Sequence, residues 1–356
     1  MIWVREGEIS LEEKDILSVI MKKMKGYSFP YYFATICELG IFEIATNAPC
    51  AVTALCKSCE LDISILRRLL RPLIALGLVD YDQEKDTIFT TNIGNYFTSS
   101  NSNSLLSQVK FHGREGLPAW SDFLKQIKDY NGKKPKDIND PFKEQSQDCE
   151  KAQLFYNMMH SVSSKIDMAE IIRKHPEIQT DTIVDVGGGV GTLALNLLSS
   201  FELMNVIVFD LPHLKHESER LINACGLATR CAFVAGDFFD HINVKGDHFI
   251  LSRIMHDWSD ETCAIILKNI KSLMTSKSKL FIIEKMLPEY NEINVESFDL
   301  LLSDLNVWCM CKGKERTYSE IEQLLLCNHF KISNQYQMSN TNNLFCFEAS
   351  LDSRGL

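Results

Sequence analysis

The feature that most constrains this chain is a change of texture near residue 180. From there short apolar runs alternate with amphipathic stretches at an even spacing. "TIVDVGGG" is a strand running into glycines and "VGTLALNLLSSF" a helix; "NVIVFDL" is a strand and "HESERLINACG" a helix. "CAFVAGDFF", "DHFILSRIM", "TCAIILKNIKSLM" and "KLFIIEKML" continue the alternation. Strands separated by helices of this length imply a doubly wound, mostly parallel α/β sheet, with right-handed crossovers. In such a Rossmann-like sheet the ligand sits beyond the C-terminal strand ends, where the strand order switches.

"VDVGGGVGT" places Gly187, Gly189 and Gly191 directly after the first strand of that sheet, with Asp185 just before them. Glycines there let the backbone turn sharply and approach a ligand closely, with helix N–H groups pointing at it. A dinucleotide site usually spaces its third glycine one residue further on. The tighter spacing and the preceding acid favour S-adenosyl-L-methionine as cofactor. The next strand ends at Asp210, followed by Leu211; a carboxylate there can accept both ribose hydroxyls. After the third strand, Asp237 can accept from an adenine amino group and Phe238 can cover the ring. Either acid alone could equally cap the helix that follows it.

Residues 11 to about 105 read as mainly helical. Leu17, Ile20, Met21 and Met24 recur at helical spacing, and "ISILRRLLRPLIALGLVDYD" is a periodic helix that stops near Gly77 and enters a short strand. "DQEKD" is a turn and "TIFTTN" a returning strand, which completes a winged-helix pattern. Its second helix offers Arg67, Arg68 and Arg71, but the chain carries 47 acidic residues against 37 Lys and Arg, a net charge of -10. That balance disfavours nucleic acid and anionic membranes as partners, so a packing or dimerisation role is expected of this module. The three expected domains are 1–105, winged-helix-like; 106–175, a helical linker lining an acceptor pocket; and 176–356, catalytic. No apolar run reaches the roughly 18 residues that would span a bilayer. The charged start, MIWVREGEISLEEKD, lacks a signal-peptide core, so a cytoplasmic location is expected. The twelve cysteines are scattered through helices and strands, as reduced thiols would be, and the lone CxxC (Cys56, Cys59) has no second pair to bind zinc.

"RIMHDWSDE" follows the fourth strand, so His256 lies on the same sheet edge as the cofactor. It could be a proton acceptor, a metal ligand or a polar turn residue. Asp257 and Asp260 alone do not make a zinc set, and no metal is expected. A neutral imidazole near its ordinary pKa of about 6.5 could take a proton from a phenol, given a carboxylate to fix its tautomer. Glu284 in "FIIEKMLPE" and Glu315 in "KGKERT" are the candidates for that carboxylate.

Taken together, "VDVGGGVGTLAL", "FDLPH", "GDFF", "RIMHDWSDE", "DLNVW" and "GKERT" occur in the order found in caffeate- and hydroxyindole-type class I O-methyltransferases, which this chain resembles. The resemblance implies His256 as general base held by Glu284 and Glu315. It implies cofactor contacts from Asp185, Gly187, Asp210 and Asp237, and from Ser164 near the carboxylate of the cofactor. Gly189, Leu211, Phe238, Ser252 and Arg253 are placed on the cofactor side as well. An aromatic acceptor would be lined by Tyr156, Asn157, His160, Ser163, Asn306 and Met310, and the N-terminal domain would interlock two subunits in a homodimer. Plant members carry Lys where this chain has Ser252, and Met and His where it has His160 and Ser163. Those departures point away from a lignin-type acceptor. Two other functions stay open at this stage. One is a SAM-assisted enzyme that does not methylate, with His160 and Arg253 as donors to its substrate; the other is a DNA-binding regulator.

Overall fold

The structure, a computed structural model, describes residues 11–130, 142–143, 148–339, 341 and 343–352. The first ten residues of the charged N-terminus lie outside these, as do 131–141 and 144–147 of the expected linker. The chain divides into two compact units, Met1–Pro118 and Ala119–Leu356, so the stretch 106–175 is shared between them.

The first unit begins with α1 (Leu11–Lys25) and α2 (Ser28–Glu38). A short helix, Val52–Ser58, precedes α3 (Ile63–Ala75). Asp62 caps α3 by accepting from the Ser64 N–H at 2.8 Å, and Leu66, Leu70 and Leu73 on one face are buried. Gly77, at φ +66, turns the chain into β2 (Val79–Asp82), which pairs antiparallel with β3 (Thr87–Thr90). The two-residue β1 (Cys50–Ala51) adds to the other edge of β3. This is the helix–helix–wing order expected. Arg67 on α3 is tied to Asp86 at 2.7 Å in the wing turn, which removes it from the set of free cations. Leu17, Ile20, Met21 and Met24 on α1 are exposed, an apolar row of the kind that marks an interaction surface.

The second unit is a mixed sheet ordered β10-β11-β8-β7-β4-β5-β6, numbered along the chain. The parallel strands are β4 (Thr182–Val186), β5 (Asn205–Asp210), β6 (Cys231–Ala235), β7 (His248–Ser252) and β8 (Leu280–Leu287). β11 (Leu344–Leu351) and β10 (Phe330–Gln337) close one side antiparallel, and β9 (Arg316–Thr317) pairs with the end of β8. Both faces of the central strands are covered, so they read as continuous apolar runs such as Phe249-Ile250-Leu251 rather than alternating ones. Ile183, Val206, Val208, Ile250 and Phe281 fill one core layer; Val184, Val186, Phe249, Leu251 and Ile282 fill the other. β5 and β7 flank β4 on opposite sides, so the connections leaving β4 and β7 diverge and open a crevice at their C-terminal ends. No described helix is long and apolar enough to cross a membrane.

Candidate active site

The crevice holds a cavity of about 1070 Å³, counting its open mouth. Its floor is the glycine turn. Gly187, Gly189 and Gly191 stand at φ +74, +60 and +90, the left-handed region that favours glycine. A Cβ on Gly187 would lie 2.4 Å from Ile254 Cδ1, so the turn is flat against its neighbours because it lacks side chains. Helix α5 (Thr192–Ser200) starts at Gly191 with no side-chain cap, and Thr192 and Leu193 of its first turn line the cavity. Uncapped N–H groups at a helix start attract anionic or acceptor groups.

Three acids border this floor. Asp210 accepts the Gly189 N–H at 2.7 Å and the Leu211 N–H at 2.6 Å, so it fixes the turn and keeps further lone pairs for a ligand. Asp237 accepts the Phe239 N–H at 2.8 Å and pairs with Lys143. Asp185 is fully buried, and neither carboxylate oxygen has a hydrogen-bond partner. Burial, then the charge of Asp210, pushes it up to about 7. Orphaned acceptors of this kind call for donors from a ligand. Hydroxyl, amino and ammonium groups supply them, as S-adenosylmethionine does, so the residues fit that cofactor.

Leu211, Phe238, Ser252 and Arg253 also line the cavity, as do Tyr156, His160 and Ser163 from helix α4 (Cys149–Ser163). His160 Nδ1 is 2.7 Å from Thr192 Oγ1, which ties α4 to the start of α5, and Tyr156 Oη meets His213 Nε2. Arg253 stands at φ +57 in the left-handed region, uncommon for a residue with a side chain. Asn157, Ser164, Asn306 and Met310 are not among the lining residues. Asn157 accepts from Gln153 on its own helix, and Ser164 donates to the Ser161 carbonyl. Asn306, on α6 (Phe298–Cys311), accepts from the Trp120 indole at 3.0 Å.

His256 sits just behind the wall, with Asp257 and Trp258 in it. Its ring is buried. Nδ1 is 3.2 Å from Glu315 Oε1 and 3.8 Å from Glu284 Oε2, while Nε2 is 3.5 Å from Asp257 Oδ1. A carboxylate at Nδ1 selects the tautomer with its proton there and leaves Nε2 free to accept. Glu284 also receives the Met255 N–H at 2.7 Å, so it anchors the turn as well as facing the ring. Burial alone would push the imidazole down. Asp257, Glu284 and Glu315 outweigh it and raise the ring to about 9. The three carboxylates therefore favour the charged ring over the neutral one. Glu284 is raised to about 7, chiefly by burial. The donor atoms of His256, Glu284 and Glu315 lie within 4.8 Å of one another. The Lys285 ammonium, 3.8 Å from Glu315 Oε1, supplies a countercharge beside them.

The segment 313–316 clamps the His256 turn in a way that its motif alone does not show. The Lys314 N–H donates to the His256 carbonyl at 2.8 Å. Buried Arg316 donates to the Met255 and Trp258 carbonyls, each at 2.8 Å, and to Asp260 at 2.9 Å. A Cβ on Gly313 would stand 2.0 Å from the His256 carbonyl oxygen. "GKERT" carried all of this, but without three-dimensional contacts only its acid stood out.

A glycine turn at a switch point, three acids on successive strand ends and a carboxylate-held histidine define an α/β enzyme that binds a nucleoside-bearing cofactor. The chain belongs to the O-methyltransferase family: the O-methyltransferase domain matches residues 124–331 and the O-methyltransferase dimerisation domain residues 21–107. It is thus an S-adenosylmethionine-dependent O-methyltransferase. It is 26% identical over 316 residues to the phenazine O-methyltransferase PhzM of Lysobacter antibioticus, covering 88% of this chain and 91% of that one. Chicken (Gallus gallus) acetylserotonin O-methyltransferase is 26% identical, covering 94% of this chain and 97% of its own. Among solved structures, LaPhzM superposes with a TM-score of 0.82 at 25% identity, covering 94% and 99% of the two chains. Human N-acetylserotonin methyltransferase in complex with SAM shares the fold, with a TM-score of 0.81 at 20% identity over 98% and 100%.

Proposed function

We propose that this enzyme methylates a hydroxyl group on an aromatic small molecule and that His256 is the proton acceptor. The observation that supports it best is the His256 ring itself, bonded at Nδ1 to Glu315 and with Nε2 3.5 Å from Asp257, a residue of the cavity wall. The relatives act on phenazines, acetylserotonin and other ring systems by name, which agrees with walls built from Phe155, Trp258 and Phe142. Residues Asp185, Gly187, Gly189, Asp210 and Asp237 hold the cofactor, which supplies an electrophilic methyl group when bound. The exposed row on α1, which runs into the matched dimerisation domain at Met21 and Met24, pairs with a second copy to make a homodimer.

On this reading the acceptor hydroxyl reaches Nε2 of a neutral His256. The ring takes the hydroxyl proton, and Glu315 stabilises the imidazolium that results. The phenolate oxygen is thereby freed to take the methyl group. Because Asp257, Glu284 and Glu315 hold the free ring protonated, loss of one proton from the site must precede turnover, and the rate climbs with pH. Aromatic walls exclude water around the two opposite charges that meet in the reaction, which strengthens their attraction.

The test is incubation of the purified protein with methyl-labelled SAM and a panel of phenols, hydroxyindoles, phenazines and anthraquinones. Label in an aryl methyl ether together with S-adenosylhomocysteine supports the proposal. A changed acceptor with no label, or label on nitrogen or carbon, refutes it.

A further inference from the structure

Lys285 follows Glu284 on β8, and nothing in the assignment of His256 as base uses it. Its ammonium lies 3.8 Å from Glu315 Oε1. That same oxygen is the one 3.2 Å from His256 Nδ1. Glu315 Oε1 is therefore shared between a fixed cation and the base. Lys285 also donates to the Ser303 hydroxyl of α6 at 3.3 Å.

We infer that Lys285 is a positioning residue that sets the protonation of the base: by sharing Glu315 Oε1 it holds that carboxylate in place and weakens its grip on the imidazolium. This rests on His256 being the proton acceptor. The charged neighbours come from every element around the ring. Asp257 lies on its own turn, Asp260 and Cys263 on the helix that follows. Glu284 and Lys285 lie on β8, Arg253 at the end of β7, Glu315 and Arg316 before and in β9, and Cys311 on α6. Asp257, Glu284 and Glu315 favour the charged ring. Lys285 and Arg253 lie near Glu315 and keep it ionised, and a cation bound to the accepting oxygen takes up part of what the ring would receive. Of these two cations, Lys285 is the one seated on the oxygen that the ring uses. Burial lowers Lys285 itself, and Glu315 counters that, as expected of a cation kept for its partner.

The experiment compares the pH dependence of kcat in the wild type, Lys285→Met and Lys285→Arg, with saturating SAM and a methylated acceptor from the panel. Removing a cation at this range moves the acid limb up by about one pH unit, which costs about tenfold in kcat at pH 7.5. Lys285→Arg returns the limb most of the way. In a Glu315→Gln background Lys285→Met moves it much less, since the shared oxygen has lost its charge and only direct repulsion remains. A limb that stays in place in Lys285→Met, or that moves equally with and without Glu315, overturns the inference. His256→Ala run alongside separates the two layers. Full activity in that variant refutes the base assignment itself, while a dead His256→Ala with an unmoved Lys285→Met limb refutes only the role of Lys285.

Discussion

Glu315→Gln tests the electrostatics of the site most sharply. Glu315 accepts from His256 Nδ1 at 3.2 Å in a buried setting, so it stabilises the charged ring over the neutral one. A hydrogen bond to a charged group contributes about 1.5–3 kcal/mol, and each pKa unit is about 1.4 kcal/mol, so losing the charge lowers the ring by about one to two units. From about 9 in the wild type, the limb in kcat should fall toward neutrality in the variant. The maximal rate should fall as well, because a glutamine fixes the tautomer less firmly. The assay is kcat against pH from 6 to 10 at saturating substrates, paired with an NMR titration of the 15N-labelled histidine ring in the S-adenosylhomocysteine complex. If the kinetic limb stays put in Glu315→Gln, it belongs to the acceptor hydroxyl and not to His256. If the wild-type ring titrates near the ordinary value of about 6.5, the three-carboxylate argument fails outright.

Three other outcomes follow from the same contacts. Gly313→Ala puts a methyl group against the His256 and Asp257 backbone, which cannot give way as a side-chain end can. Turnover should drop at least tenfold while calorimetry finds cofactor affinity unchanged, and an equal loss of both would contradict the clamp. Arg316→Met strands the Met255 and Trp258 carbonyls and should destabilise the fold by about 3–5 kcal/mol in urea titration, as breaking a buried charged network does. The raised His256 ring contributes stability that is complete below its unfolded value of about 6.5 and lost as pH rises through about 9, about 3 kcal/mol in all. Wild-type thermal stability should therefore decline more steeply between pH 7 and 9.5 than that of His256→Asn, and parallel declines would count against it.

Much of the second unit could be read from local pattern, because the signals there are local. An apolar run bounded by glycines makes β4, and strand-end acids at Asp185, Asp210 and Asp237 follow from parallel-sheet geometry. The glycine turn needed left-handed backbone, and only glycine takes it without strain, so its spacing was informative. The antiparallel edge of β10 and β11 was not foreseen, since the place of "FKISNQYQ" and "LFCFEASL" at the sheet edge depends on the pairing of β11 with β8. Acceptor-side residues were the hardest. Asn157 and Asn306 are polar residues on helices, and the direction each faces is set by packing against Gln153 and Trp120, which spacing cannot reveal. The electrostatic setting of His256 was hidden for the same reason: it depends on charges from three separate segments that meet only in the fold.

The most direct test is the single-turnover rate of methyl transfer in His256→Ala, measured with labelled SAM beside a calorimetric affinity for S-adenosylhomocysteine. Loss of a positioned general base predicts a fall of about 10²–10⁴-fold, with cofactor affinity held within about threefold of wild type. A variant that transfers methyl at nearly the wild-type rate would show that some other group takes the proton.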